Sequence, residues 1–205
     1  LNALRAKRLK LLVAYSTVAQ LGYLFLVFPL VGTLKDGVTA WLGCIYFILA
    51  HACAKAAAFF SAGAVQYALG HDNIDDMVGI VRCLPVPVFA FVIAGISLIG
   101  LPPSGGFIAK WLLINAALVQ GQWWWVVLIL AGGLFSAAYI FRVFSKTFAY
   151  ETEPIDARPI SLSFQYPALG LALFTLVLGI IAPYPLTLLQ IDAPLSGPVL
   201  QTVLP

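Results

Sequence analysis

The sequence has few charged residues and lacks the motifs that build active sites in soluble enzymes. Of its 205 residues, 9% are charged, against about 25% in an average soluble protein. It contains no glycine-rich phosphate loop, no HExxH metal motif and no CxxC pair. Its basic residues form no face with interleaved aromatic residues, the usual mark of nucleic-acid binding. We therefore expect neither a soluble enzyme nor a nucleic-acid-binding protein.

Cysteine and methionine are also scarce. The three cysteines have spacings that fit no metal site, and Cys44 and Cys53 fall within apolar runs, where cysteine behaves as a small buried hydrophobe. The sequence begins at Leu1 with no initiator methionine and no signal-peptide pattern. We expect no bound metal or cofactor, and we expect the full protein to contain a segment before Leu1.

Long apolar runs dominate what the sequence does contain. Hydrophobic residues make up 62% of the chain, and a helix of about 20 apolar residues crosses the hydrocarbon core of a bilayer. The runs do not alternate with a period of two, as the strands of a membrane β-barrel would. The sequence predicts an all-α, polytopic transmembrane helical bundle of about six spans: 11–32, 38–69, 85–100, 105–120, 123–148 and 164–182.

Polar or proline-rich segments flank this bundle, which we place at residues 11–190. Residues 1–10 hold four basic side chains and are expected to lie at the membrane interface. The proline-rich residues 191–205 are expected to lie along the surface as a tail. With six spans, five basic residues fall on one side of the membrane and four on the other. The positive-inside rule then does not settle the orientation.

A stretch rich in proline and glycine interrupts the apolar sequence after residue 99. A break inside a bilayer leaves backbone groups unpaired, which is tolerated only where protein or a water-filled cavity supplies partners. Pro102, Pro103, Gly105 and Gly106 are therefore expected to form a broken helix that faces inward. Lys110, about one turn past the break, should face inward with it.

Two lysines and one histidine within the apolar spans are the candidate functional residues. A charge inside a span costs about 3 kcal/mol on insertion scales, so it marks a functional site by default. Lys55 has no nearby carboxylate in the sequence, and His51 lies one helical turn before it on the same face. Two desolvated basic groups side by side can exchange protons near neutral pH. Lys110 is the second candidate, because a broken helix places a charge against loose backbone and water.

Each candidate also has an ordinary structural interpretation. His51 can bond a backbone carbonyl, Lys55 can extend to the membrane surface, and Lys110 can be an interfacial anchor. Arg142 and Lys146 lie near the end of a span, where interfacial cations are common. Because we can place no Asp or Glu within the spans, acidic partners for the lysines are expected from other chains.

Three motifs resemble those of one family of membrane proteins. Residues 10–23, KLLVAYSTVAQLGY, resemble the K-x-L-L-A-Y-S-S/T-x-x-Q-x-G-Y run of the antiporter-like subunits. These subunits occur in respiratory complex I, Mrp-type Na⁺/H⁺ antiporters and membrane-bound hydrogenases. Residues 51–56 resemble their H-x-x-x-K-A helix, and residues 101–110 resemble their L-P-P-x-x-G-F-x-x-K broken helix.

The resemblance implies a core of two inverted five-helix repeats, each with one discontinuous helix. It also implies that buried lysines pass protons along a hydrated axis, with Lys55 as the central relay, His51 beside it and Lys110 at the broken helix. Na⁺/H⁺ antiport of the Mrp type and proton pumping in a redox-driven oxidoreductase or hydrogenase both stay open. Because no quinone-binding or redox feature is visible in the sequence, we slightly favour an Mrp-type antiporter over a redox-driven complex. The remaining alternative is a structural membrane subunit that conducts no ions.

The resemblance covers only the second repeat of that core. The first repeat, with its lysine–glutamate pair, is absent from this sequence, and Phe47 stands where a histidine often precedes His51. We therefore expect a fragment or one piece of a split subunit, without a catalytic centre of its own, in a bacterial or archaeal plasma membrane. The expected partners are other membrane subunits, including one that supplies the first repeat, the lipid bilayer, H⁺ and, in an antiporter, Na⁺.

Overall fold

A computed structural model describes residues 2–31, 37–150, 155, 157–191 and 193. Over these residues the chain is helical and forms no strand, which confirms the expected all-α bundle. The α-helices are α1 Asn2–Arg5, α2 Leu9–Leu21, α3 Val27–Leu30, α4 Gly37–Leu69, α5 Pro85–Ile99, α6 Gly105–Val119, α7 Trp123–Thr147, α8 Leu162–Ile180 and α9 Pro183–Gln190. A 3₁₀ helix, Gly22–Leu26, joins α2 to α3.

Four helical stretches among the described residues are long and apolar enough to cross a membrane. They are Leu9–Leu30, with 22 residues, α4 with 33, α7 with 25 and α8 with 19. The helices α5 and α6 have 15 residues each. At 1.5 Å per residue, neither of these two covers the ~30 Å hydrocarbon core alone.

The two short helices are halves of one crossing. We call the end of the bundle that holds Arg8 the basic end. The loop before α5 lies there, because Gly79 N donates to the Lys146 carbonyl at the end of α7 (3.2 Å). The far end of α6 lies at the opposite end, since Gln120 Nε2 donates to the carbonyl of Leu30, the last residue of α3. Thus α5 runs inward from the basic end and α6 continues in the same direction.

The ranges 85–100 and 105–120 are therefore not two separate spans, and the described helices cross the membrane five times. After this broken crossing, α7 returns to the basic end, where Arg142 Nη1 donates to the carbonyls of Leu4 (2.8 Å) and Ala6 (3.0 Å). The composition of the sequence marks where a helix is interrupted. It does not show whether the chain reverses there or continues, and for this reason our count of six was one too high.

The count of basic residues on each side changes with the number of crossings. Among the described residues, every Lys and Arg other than the two candidate lysines lies at the basic end. These residues are Arg5, Lys7, Arg8, Lys10, Arg82, Arg142, Lys146 and Arg158. The division of five against four is wrong, because it placed the last three of these residues on the far side.

A buried carboxylate joins the N-terminal segment to the loop after α4 at the basic end. The Asp72 side chain is 2% exposed and accepts from Arg8 Nε (2.7 Å) and from the Lys10 backbone amide (3.1 Å). Burial of this carboxyl raises its pKa, but the two hydrogen bonds and the Arg8 charge outweigh the burial and hold the pKa of Asp72 below its ordinary value. Asp72 therefore stays ionised and fixes the start of α2.

The division of the chain into an interfacial segment, a bundle and a surface tail stays a prediction. Residues 192 and 194–205, most of the expected tail, lie outside the described residues. At the start of α7, Trp123 and Trp124 are exposed. Trp125 Nε1 donates to Gln122 Oε1 at 2.8 Å.

Candidate functional site

The two prolines of the broken helix free two backbone carbonyls inside the bundle. Within an α-helix, each carbonyl accepts from the N–H four residues later, and proline has no N–H. Pro102 and Pro103 stand four residues after Leu98 and Ile99, the last two residues of α5. Lys110 Nζ donates to the carbonyl oxygens of both, at 3.1 Å and 2.7 Å. The ammonium group thus replaces the backbone donors that the prolines lack.

Glycines allow the two halves of the broken crossing to approach each other. Gly100 ends α5 with φ +87°, in the left-handed region, and a Cβ there would lie 2.6 Å from Lys110 Cδ. A Cβ on Gly106 would overlap the Ser97 carbonyl. The new helix starts at Ser104, whose Oγ accepts from the Phe107 amide at 3.2 Å.

Lys110 is a buried residue rather than an interfacial anchor. It is 6% exposed, and its Nζ lies 5.2 Å from the centre of the Tyr23 ring. An aromatic face attracts a cation by about 2 kcal/mol in a desolvated setting. The charge is therefore held by two carbonyl dipoles and one ring.

Lys55 is held in a similar way near the middle of α4. It is also 6% exposed, so it does not extend to the membrane surface. Its Nζ donates to the Val13 carbonyl at 3.0 Å and to the Ser16 hydroxyl, both on α2. No described carboxylate lies near either lysine, because the described acidic residues, Asp72, Asp75 and Asp76, belong to the loop after α4. Both ammonium groups therefore have neutral partners among the described residues.

His51 lies one turn from Lys55 with both ring nitrogens buried. Neither Nδ1 nor Nε2 bonds another described residue, so the carbonyl contact considered from the sequence does not form. The ring stacks on Phe47, with ring centres 5.2 Å apart. Phe47 also packs against Tyr23, with ring centres 5.4 Å apart, and Tyr23 is the ring that faces Lys110 Nζ. The three candidate residues thus occupy one region of the bundle.

Sequence reasoning missed a neutral polar residue that lies among these groups. Gln20 is 2% exposed, and its Nε2 donates to the Leu98 carbonyl (2.9 Å), Ser136 Oγ (3.0 Å) and Tyr139 OH (3.3 Å). The signal that could have found it is a stripe of polar residues spaced four and three apart in an apolar span. The members of this stripe are Ser16, Gln20 and Tyr23.

Together, the fold and the site define an integral membrane bundle with one broken crossing and two buried lysines. The family of proteins described as "NADH:quinone oxidoreductase/Mrp antiporter, TM" matches residues 1–136. This range includes both lysines and the whole broken crossing. The chain belongs to this family, and the resemblance seen in its three motifs is confirmed.

Individual relatives come from several kinds of membrane complex. The NADH-quinone oxidoreductase subunit N of Desulforudis audaxviator is 36% identical over 183 residues, which cover 82% of this chain and 36% of that protein. In the Mrp complex from Dietzia sp., a chain that is 26% identical aligns with a TM-score of 0.81 over 91% of this chain and 42% of its own length. In an archaeal membrane-bound sulfane sulfur reductase, a chain that is 27% identical aligns with a TM-score of 0.79 over 94% of this chain and 38% of its own length. This chain thus spans little more than a third of the length of the curated relative.

Proposed function

We propose that this chain is a proton-translocating subunit of a redox-driven membrane complex, in which Lys55, Lys110 and His51 take up and release protons. The observation that carries the proposal is the pair of buried lysines with neutral partners. Lys110 is bound by carbonyls at a helix break, and Lys55 by a carbonyl and a hydroxyl.

A lysine with neutral partners is suited to proton transfer. A carboxylate next to the ammonium group would hold its proton through a charge pair in a medium of low dielectric constant. Carbonyl and hydroxyl dipoles stabilise the charged lysine less than a carboxylate would. The lysine can therefore lose its proton at a smaller cost in free energy. Burial without a fixed counter-ion is costly for a purely structural residue. The ring nitrogens of His51, which bond none of the described residues, give a third group that can accept a proton and pass it on through internal water.

The relatives favour a redox-driven complex over an Mrp antiporter. The curated relative at 36% identity is an NADH-quinone oxidoreductase subunit, and the sulfane sulfur reductase is described as a respiratory membrane complex. The Mrp complex supports Na⁺/H⁺ antiport as a second candidate through its TM-score of 0.81. In either case we infer a hetero-oligomer in a bacterial or archaeal plasma membrane, in which other membrane subunits supply the first repeat.

Proton flux in inside-out vesicles that hold the assembled complex tests this proposal. Vesicles are energised with NADH in one arm and with a Na⁺ gradient in the other, and proton uptake is followed with a pH-sensitive dye. We expect NADH-driven uptake that falls about tenfold in Lys55→Ala and Lys110→Ala. Lys146→Ala is the control, because Lys146 is exposed and contacts Asp75 at the surface.

Each arm can contradict a different part of the proposal. Flux with a Na⁺ gradient but none with NADH would replace the redox assignment with Na⁺/H⁺ antiport. If both lysine variants match Lys146→Ala at equal levels of assembly, the lysines carry no protons. The chain would then be the non-conducting structural subunit considered from the sequence.

A further inference from the structure

Each buried lysine shares its carbonyl with a neutral side chain of α2. The Leu98 oxygen accepts from Lys110 Nζ and also from Gln20 Nε2 (2.9 Å). The Val13 oxygen accepts from Lys55 Nζ and also from the Ser16 hydroxyl (2.8 Å). The same arrangement thus occurs twice in one buried region.

The Gln20 amide also contacts two side chains of α7. Tyr139 OH accepts from Gln20 Nε2 and donates to Ser136 Oγ at 3.1 Å. Gln20, Ser136 and Tyr139 therefore form one hydrogen-bonded cluster beside the Leu98 carbonyl, and each of them is at most 3% exposed.

We propose that Gln20 is a positioning residue that keeps the Leu98 carbonyl hydrogen-bonded when Lys110 loses its proton. This inference rests on the proposed function, since it assumes that Lys110 alternates between its charged and neutral forms. Pro102 removes the helical donor of this carbonyl, and the neutral amine of Lys110 is a weaker hydrogen-bond donor than the ammonium group. Without Gln20, the neutral state of Lys110 therefore leaves a buried acceptor with only a weak hydrogen bond. Gln20 lowers the cost of deprotonating Lys110 and thereby makes the proton available for transfer.

Ser16 has the same role at Lys55, but with a weaker effect. The Val13 carbonyl also accepts from Thr17 Oγ1 at 3.0 Å, so it keeps one side-chain donor if Ser16 is lost. The Leu98 carbonyl has no such additional donor among the described side chains. The donors at each carbonyl therefore predict a ranking, with a larger effect at Gln20 than at Ser16.

The test compares the pH dependence of proton flux in the assembled complex. In Gln20→Met the side chain keeps its size but donates no hydrogen bond, so the neutral form of Lys110 is disfavoured. We expect a severalfold lower flux near neutral pH, and the pH of half-maximal flux should move upward by about one unit. Ser16→Ala should move it less, because the Ser16 hydroxyl also accepts from the Lys55 ammonium group and its loss disfavours the charged form as well as the neutral form. The described titratable groups around Lys110 are His51, Lys55, Tyr23 and Tyr139, and all four are unchanged in these variants.

Matched controls separate this role from general packing. Gln165→Met removes a buried glutamine of α8 that donates to the Ile160 carbonyl just before that helix, and Ser61→Ala removes a buried serine that bonds within α4. Both should keep the wild-type pH profile. If Gln20→Met does not assemble, Gln20→Asn keeps an amide that is one methylene too short to reach the Leu98 oxygen. It should show the same upward shift.

The outcomes distinguish this inference from the proposed function. If Lys110→Ala abolishes flux while the Gln20 variants have the pH profile of Gln165→Met, only the role of Gln20 is contradicted. A shift in Ser16→Ala as large as that in Gln20→Met would also contradict it, because the ranking would fail. If Lys110→Ala keeps full flux, this result contradicts both the proposed function and the role of Gln20.

Discussion

Gly100 is the residue on which the position of Lys110 depends most directly. Its φ of +87° disfavours any side chain, and an added methyl group would meet Lys110 Cδ at 2.6 Å. We expect Gly100→Ala to displace the ammonium group from its carbonyls and to lower proton flux about tenfold, as Lys110→Ala does. The positive φ should also cost about 1–2 kcal/mol of stability.

Gly121→Ala is a matched control for this prediction. Gly121 has φ +71° and no atom of the described residues within 4 Å of its added Cβ, so the variant carries similar backbone strain without touching a lysine. Proton flux and melting temperature are measured for both variants at equal levels of assembly. Equal flux in the two would show that the lysine does not depend on Gly100.

At the residue scale, the sequence predicted the charged part of the site but not its neutral part. Lys55 and Lys110 stand out because a charge in an apolar run is costly whatever surrounds it. The role of Gln20 depends on which helix faces it, since its partners Ser136 and Tyr139 come from α7, more than 100 residues away. Hydrogen-bond partners at that separation are fixed by packing and cannot be read from local spacing.

At the scale of helices, the broken crossing explains both the success and the error of the sequence-based fold. Two adjacent prolines remove two helical donors, so a break was predictable from the residues themselves. The direction after the break depends on contacts far along the chain. Gln120 binds the end of α3 at one end of the bundle, and Gly79 binds the end of α7 at the other. The number of crossings could not be obtained without these contacts.

At the scale of the whole molecule, the five crossings settle the distribution of positive charge. The eight described basic residues outside the site lie at one end of the bundle, and such residues favour the cytoplasmic side. We therefore predict that the basic end faces the cytoplasm. Cys83 is exposed in the loop just before α5 and reports on this end, whereas Cys44 is buried.

Labelling with a membrane-impermeant thiol reagent tests this orientation. Cys83 should react in inside-out vesicles and stay unlabelled in right-side-out vesicles, and Cys83→Ser should lose the signal. Labelling of Cys83 only in right-side-out vesicles would show that the basic end faces the outside of the cell.

The central claim is that the two buried lysines must release and regain protons, and arginine substitution tests it most directly. Arginine keeps the positive charge and can donate to the same carbonyls, but it does not lose its proton inside proteins. NADH-driven proton flux is measured for Lys55→Arg and Lys110→Arg in the assembled complex. Our account predicts that flux falls about tenfold, as in the alanine variants. Wild-type flux in both arginine variants would show that a fixed charge is sufficient and would contradict the account.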